Sequence, residues 1–272
     1  MQLFQLTEQL TIAAGLLAIL CYLAGAVLQG MSVARGREAR SMVLLFGGLA
    51  VLAHAVSAWG VIHSSRGFQF GIAEISTFIA VAISLLVLIS SLHKPLENLF
   101  LGLFPLAIVS ILASLTLSSS YPPTQLDSGL ASHVLISVLA YSFFTIAAFQ
   151  AMFLAYQNHQ LKTAHAGGVL GRLPSLQDME ALLFELVWTG QVLLSLGIVA
   201  GFIFVDDLWS RDGIIHKTFF SLLAWLVFSV LLWGRHQAGW RGPTAVRYTL
   251  SGFGLLIVGF YGSKFALEYV FS

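Results

Sequence analysis

Residues 9–40 read QLTIAAGLLAILCYLAGAVLQGMSVARGREAR, an apolar run followed, not preceded, by Arg35, Arg37 and Arg40. No charged residue lies between Glu8 and Arg35. A membrane-spanning helix needs about 20 apolar residues, and this run supplies them. A secretory leader places its bases ahead of its apolar run, whereas Met1 to Leu10 carries Glu8 and no base. The stretch therefore predicts a spanning helix whose amino end faces outward.

The same reading extends along the chain. Seven further segments are long and apolar enough, at approximately 41–63, 69–91, 97–118, 131–157, 178–205, 214–234 and 245–270. Hydrophobic residues make up 58% of the 272 and charged residues 9%, against about 25% charged in soluble domains. Little sequence remains for a soluble domain. Nine of the 13 Lys and Arg residues fall in alternate connections: Arg35, Arg37 and Arg40, then Lys94, then Lys162 and Arg172, then Arg235, Arg241 and Arg247. Arg66, Arg211, Lys217 and Lys264 lie in or near the others. The positive-inside rule places the base-rich connections in the cytoplasm. The expected fold is all-α, a polytopic integral membrane protein: one transmembrane domain over residues 1–272, a bundle of eight transmembrane helices with both termini outward.

Composition also excludes. Thirteen bases against 12 acids leave no field for a nucleic acid. Cys21 is the only cysteine, which rules out an internal disulfide, C-x-x-C redox chemistry and covalent C-x-x-C-H haem attachment. No phosphate-binding glycine loop, H-E-x-x-H site, G-x-S-x-G elbow or catalytic carboxylate pair is present, so the chain is not expected to be an enzyme. Two connections exceed a tight turn. Ser118 to Ala131 contains Pro122 and Pro123, which favour an extended path. Asn158 to Pro174 leads into Ser175, a candidate N-cap, with Asp178 and Glu180 suited to the positive end of the next helix.

Histidines remain. An imidazole at membrane depth is costly without a partner or ligand. Gly47, Ala50 and Ser57 share a helical face with His54, so His54 is expected to point into the bundle. Two readings stand for it: a neutral imidazole bonded to a neighbouring helix, or a metal or haem ligand. His63 lies about 180° around the same helix and is expected at the rim. His133, Ser137, Tyr141 and Thr145 form a stripe that must face protein or water. Ser137 and Thr145 are expected to bond between helices, and His133 sits at the outward mouth. His216 opens the seventh helix at that face, after a segment containing Trp209 and Arg211 and just before Lys217. Two imidazoles can ligate haem iron axially, bases can meet propionates, and tryptophan can lie along a porphyrin face. The competing reading is two unrelated interfacial histidines with snorkelling bases. Glu74 is expected to be paired near the outward rim, and Lys264 with Glu268 to form a structural i, i+4 pair. His93, His159, His165 and His236 lie in connections and are expected to be solvated.

Four stretches carry a family resemblance, strongest over residues 130–265. They are Ser132-His133-Val134 leading to Ala140-Tyr141-Ser142-Phe143; Leu173-Pro174-Ser175-Leu176 running on to Leu193–Gly201; Thr218 to Val227; and Gly239-Trp240-Arg241-Gly242 followed by Gly252-Phe253. Together they resemble the cytochrome c assembly family of haem-handling membrane proteins, the CcsA, CcmC and HemX group. The resemblance implies haem b, bound non-covalently at the outward face, in a multi-pass protein of the bacterial inner (plasma) membrane. Its expected partners are the lipid bilayer, haem and other membrane proteins. His133 matches a haem-ligating histidine of the family, and His54 looks like its intramembrane histidine. Of the family's tryptophan-rich W-G-x-x-W-x-W-D segment only Trp209 stands here. No histidine follows the last helix, and His216 is the expected substitute. The competing expectation is a non-haem accessory or stabilising partner of another membrane protein; a transporter of small molecules or ions is a third.

Overall fold

A computed structural model describes residues 2–35, 39–64, 66–94, 96–117, 122–162, 175–205 and 214–265. Among the described residues the chain is helical apart from its connections and one two-residue-per-strand hairpin. Eight principal helices are described. They are α1 (Gln2–Arg35), α2 (Arg40–Ile62), α3 (Ile72–His93), α4 (Phe100–Thr116), α5 (Ser128–Lys162), α6 (Leu176–Phe204), α7 (Ile214–Ala238) and α8 (Pro243–Ile257). The first seven are long and apolar enough to cross a membrane. The expected eighth span is built differently: α8 gives way to a π turn, Val258–Gly262, and α-helix resumes at Ser263–Phe265, where the described residues end. The widened turn has a packing reason. A Cβ on Gly259 would lie 2.6 Å from Cβ of Phe220, so the backbone of this turn presses directly onto α7.

The helices form two compact units, Met1–Leu126 and Asp127–Ser272. In the first, α1 packs on α2 and α4, and α3 packs on the same two. Lipid-like solvent offers no hydrophobic force between helices, so close approach by small residues carries the packing. Gly25 lies on the ring of Phe104, and Gly15 lies on Leu115 and Ser57. Large aliphatic side chains face outward instead, with Leu20 64% and Leu52 68% exposed, the pattern of a lipid-facing perimeter. One end is tied by Arg40, whose guanidinium pairs with Glu97 at 2.6 Å and donates to the Ser91 carbonyl at 2.7 Å. Gln29 donates to Asn98 there at 3.1 Å. The opposite end carries the hairpin, β1 (His63–Ser64) antiparallel to β2 (Gly67–Phe68). Its turn needs Gly67, whose φ of 131° disfavours a side chain. Thr124, just after the two prolines, bridges antiparallel to Phe68. No alternation in the sequence marked the hairpin.

In the second unit α5, α6, α7 and α8 close a ring in which each helix packs on its two neighbours. The middle is filled by Phe144 stacked on Phe228, with ring centres 3.9 Å apart; Gly190 and Gly252 leave room for them. The α6 start is capped as expected, with Ser175 Oγ accepting from the Asp178 amide at 3.1 Å. Glu180 on the next turn pairs with Arg235 at 2.8 Å and accepts from the Gly242 amide at 3.1 Å. Thus within each unit the base-rich connections gather at one end.

Candidate functional site

In the first unit the helix face of Gly47, Ala50, His54 and Ser57 is buried, as its spacing predicts. His54 has no exposed surface. Its Nδ1 lies 3.2 Å from Tyr22 Oη of α1, and its Nε2 lies 2.8 Å from Thr77 Oγ1 of α3. The Tyr22 ring meets the imidazole edge-on at 5.7 Å and leans on Phe104. Both ring nitrogens are therefore engaged by hydroxyls from two neighbouring helices. One nitrogen donates and the other accepts, which satisfies a group that would otherwise be expensive at this depth. His63 sits exposed at the rim, as predicted, with its ring parallel to Trp59 at 5.2 Å. Glu74 is buried in the first turn of α3.

In the second unit the stripe on α5 divides. His133 faces α6: its Nδ1 lies 3.0 Å from the Gly197 carbonyl oxygen. A Cβ on Gly201 would come within 3.1 Å of His133 Cε1, so two glycines one helical turn apart form the seat of this ring. Since a carbonyl only accepts, the bond places the proton on Nδ1 and the lone pair on Nε2. Among the described residues nothing bonds that nitrogen. Metal-binding histidines are commonly oriented in this way. Tyr141, two turns on, faces the π turn, within ring contact of Phe253, Phe260 and Tyr261. Thr145 donates to the Tyr141 carbonyl of its own helix at 2.8 Å. That corrects the expectation of an interhelical bond: at this depth a threonine hydroxyl satisfies itself on the preceding turn.

His216 is exposed in the first turn of α7, with Lys217 half-buried beside it. The Lys217 carbonyl borders Gly259 of the π turn. Trp209, Arg211, His165 and Glu268 lie outside the described residues. The start of α5, end of α6, start of α7 and end of α8 share one end of the ring. His133, His216 and Lys217 therefore lie toward the same end of the ring, with α6 packed against both α5 and α7. Among the described residues no ring contact or hydrogen bond joins the two imidazoles. None gathers three or more His, Cys, Asp or Glu side chains into a metal-holding group.

Sequence reading placed Lys264 in a pair with Glu268 and missed its burial: it is 6% exposed and lies over the Phe260 ring at 6.0 Å. It also missed Tyr22 and Thr77. Each lies in a largely apolar run, and only the helix packing shows that both face His54.

Residues 42–270 match the cytochrome C assembly protein family. The chain is 26% identical over 239 residues to the inner membrane protein YpjD of Escherichia coli K12, covering 85% of this chain and 88% of that one. It is 24% identical over 174 residues to the cytochrome c biogenesis protein CcsA of Prochlorococcus marinus (strain MIT 9515), covering 56% of this chain and 55% of that one. A CcsA of Synechococcus sp. (strain JA-3-3Ab) is 31% identical over 106 residues, 38% of this chain and 30% of that one. No solved structure matches. Its apolar helices and its likeness to YpjD make the chain a multi-pass inner-membrane protein. With a match running from the second helix to beyond the π turn, the chain belongs to the cytochrome c assembly protein family.

Proposed function

We propose that the protein binds haem b non-covalently at the outward mouth of its second unit and assists cytochrome c assembly, as the names of its CcsA relatives suggest. In this reading eight helices span the membrane and both termini face outward. The observation that carries it is the orientation of His133: Nδ1 is held by the Gly197 carbonyl, and Nε2 is left as a ligand nitrogen. His216 would supply a second imidazole, and Lys217 with Arg211 the charge for propionates. Trp209 would line the ring face. Haem, when bound, would supply an iron that imidazole nitrogens can ligate.

His54 is the second proposed haem contact, implied by the family's intramembrane histidine. Ligation there requires the imidazole to exchange Thr77 or Tyr22 for iron, since both nitrogens are held. The same full satisfaction favours a second reading, in which the protein is a non-haem accessory or stabilising partner of another membrane protein and His54 only packs. An absorption spectrum separates the two. Protein purified in mild detergent from haem-sufficient cells should show a Soret band that His133→Ala removes or shifts. A wild-type protein with no Soret band would sink the haem reading and leave the accessory one.

A further inference from the structure

Away from the haem mouth, at the opposite end of the same unit, a cavity of about 330 Å³ opens between the last turns of α5, the first turns of α6 and the start of α8. That volume lies at the small end of ligand-sized sites. Its lining changes character with depth. Leu154 and Val246 are 3% and 8% exposed and form an apolar floor with Leu176. Lys162 and Arg247 stand at the rim, both exposed. The one acid in the lining, Glu180, is already engaged. One carboxylate oxygen pairs with Arg235 at 2.8 Å, the other accepts from the Gly242 amide, and Arg241 lies 3.7 Å away. The rim therefore keeps a surplus of positive charge. Pro243 begins α8 at the cavity wall, so the positive end of that helix dipole adds to it.

Depth can be read from neighbouring aromatics. Trp240 and Tyr248 contact each other at 4.9 Å at this end of the unit. Amphipathic rings of this kind settle at headgroup level. An apolar floor, a cationic rim and an interfacial tryptophan together match the boundary between acyl chains and phosphates. Basic pockets between spanning helices on the cytoplasmic side hold anionic headgroups.

We propose that this cavity binds the phosphate of an anionic phospholipid such as phosphatidylglycerol, with Lys162 and Arg247 as the charge contacts and Leu154, Leu176 and Val246 against the acyl side. The site is independent of the haem reading.

The test uses the full chain in neutral detergent and follows the thermal midpoint during titration. The additives are dihexanoyl phosphatidylglycerol, dihexanoyl phosphatidylcholine and inorganic phosphate. Phosphatidylglycerol should raise the midpoint saturably, with the other two showing no shift at equal concentration. In Lys162→Gln with Arg247→Gln the half-saturating concentration should rise by about fivefold for each base lost. Lys162→Arg with Arg247→Lys should keep it within about threefold, and Arg35→Gln in the other unit should leave it unchanged. Equal shifts with both lipids, or an unaltered titration in the double glutamine variant, would overturn the proposal. An equal shift with inorganic phosphate would overturn the lipid assignment and make a free anion the occupant.

Discussion

At the scale of single residues, the two intramembrane histidines differ in what their ring nitrogens can still do. His54 is saturated by Tyr22 and Thr77; His133 is steered by one carbonyl and keeps a nitrogen. Replacing His54 with Ala strands two buried hydroxyls, at a cost of about 1–3 kcal/mol each. His54→Asn keeps one donor and one acceptor and should recover part of that loss in a detergent melt. If His54 is a haem contact, the alanine variant also loses or shifts the Soret band. A spectrum unchanged in both variants refutes that contact. At the other histidine, Gly201→Val would drive a branched side chain into the imidazole, since even a Cβ there would sit 3.1 Å from Cε1. That variant should insert normally and lose haem absorbance as His133→Ala does; full retention would remove the glycine seat from the site. The inward face of His54 was legible because small neighbours at helical spacing mark a close-packed side. Its partners were not, because periodicity fixes which way a residue points and says nothing of which helix stands opposite.

At the scale of elements, the seven apolar helices were readable from length and hydropathy alone, and so was the cap at Ser175. The last helix was readable too, but its π turn was not. A π turn inserts no unusual residue; it arises where Gly259 must approach Phe220 while Tyr261 and Phe260 close on Tyr141. Such a turn has a testable register. Deleting one residue within Val258–Gly262 should restore α-helical hydrogen bonds and leave the following turn on nearly the same face, since a π turn holds one extra residue. Inserting one residue after Gly262 should instead rotate that turn by about 100°, and Lys264 would leave its buried position. In a Cys21→Ala background, Lys264→Cys should react slowly with a maleimide with or without the deletion, and the insertion should make it react rapidly. Rapid reaction in the deletion variant would mean that the turn does not hold one extra residue. The hairpin escaped notice for a similar reason: two residues per strand are too few to show alternation, and its pairing needs Thr124 from a distant connection.

At the scale of the whole molecule, charge asymmetry predicts orientation. Reporter fusions after Arg37, Lys162 and Arg241 should report the cytoplasm, and fusions after Pro123 and Ser272 the outside. A cytoplasmic carboxyl end would place the mouth of His133 and His216 on the wrong face for the proposed haem site. The saturation of His54 carries a further consequence, for biogenesis. Helices leave the insertion machinery in chain order, so α2 can find Tyr22 on α1 at once, whereas Thr77 arrives only with α3. Until then the imidazole is half satisfied in a helix that cannot yet rest in bulk lipid. The first three helices must therefore be released as a group, and a ribosome stalled between α2 and α3 should leave the nascent chain crosslinked to the insertase at residue 54.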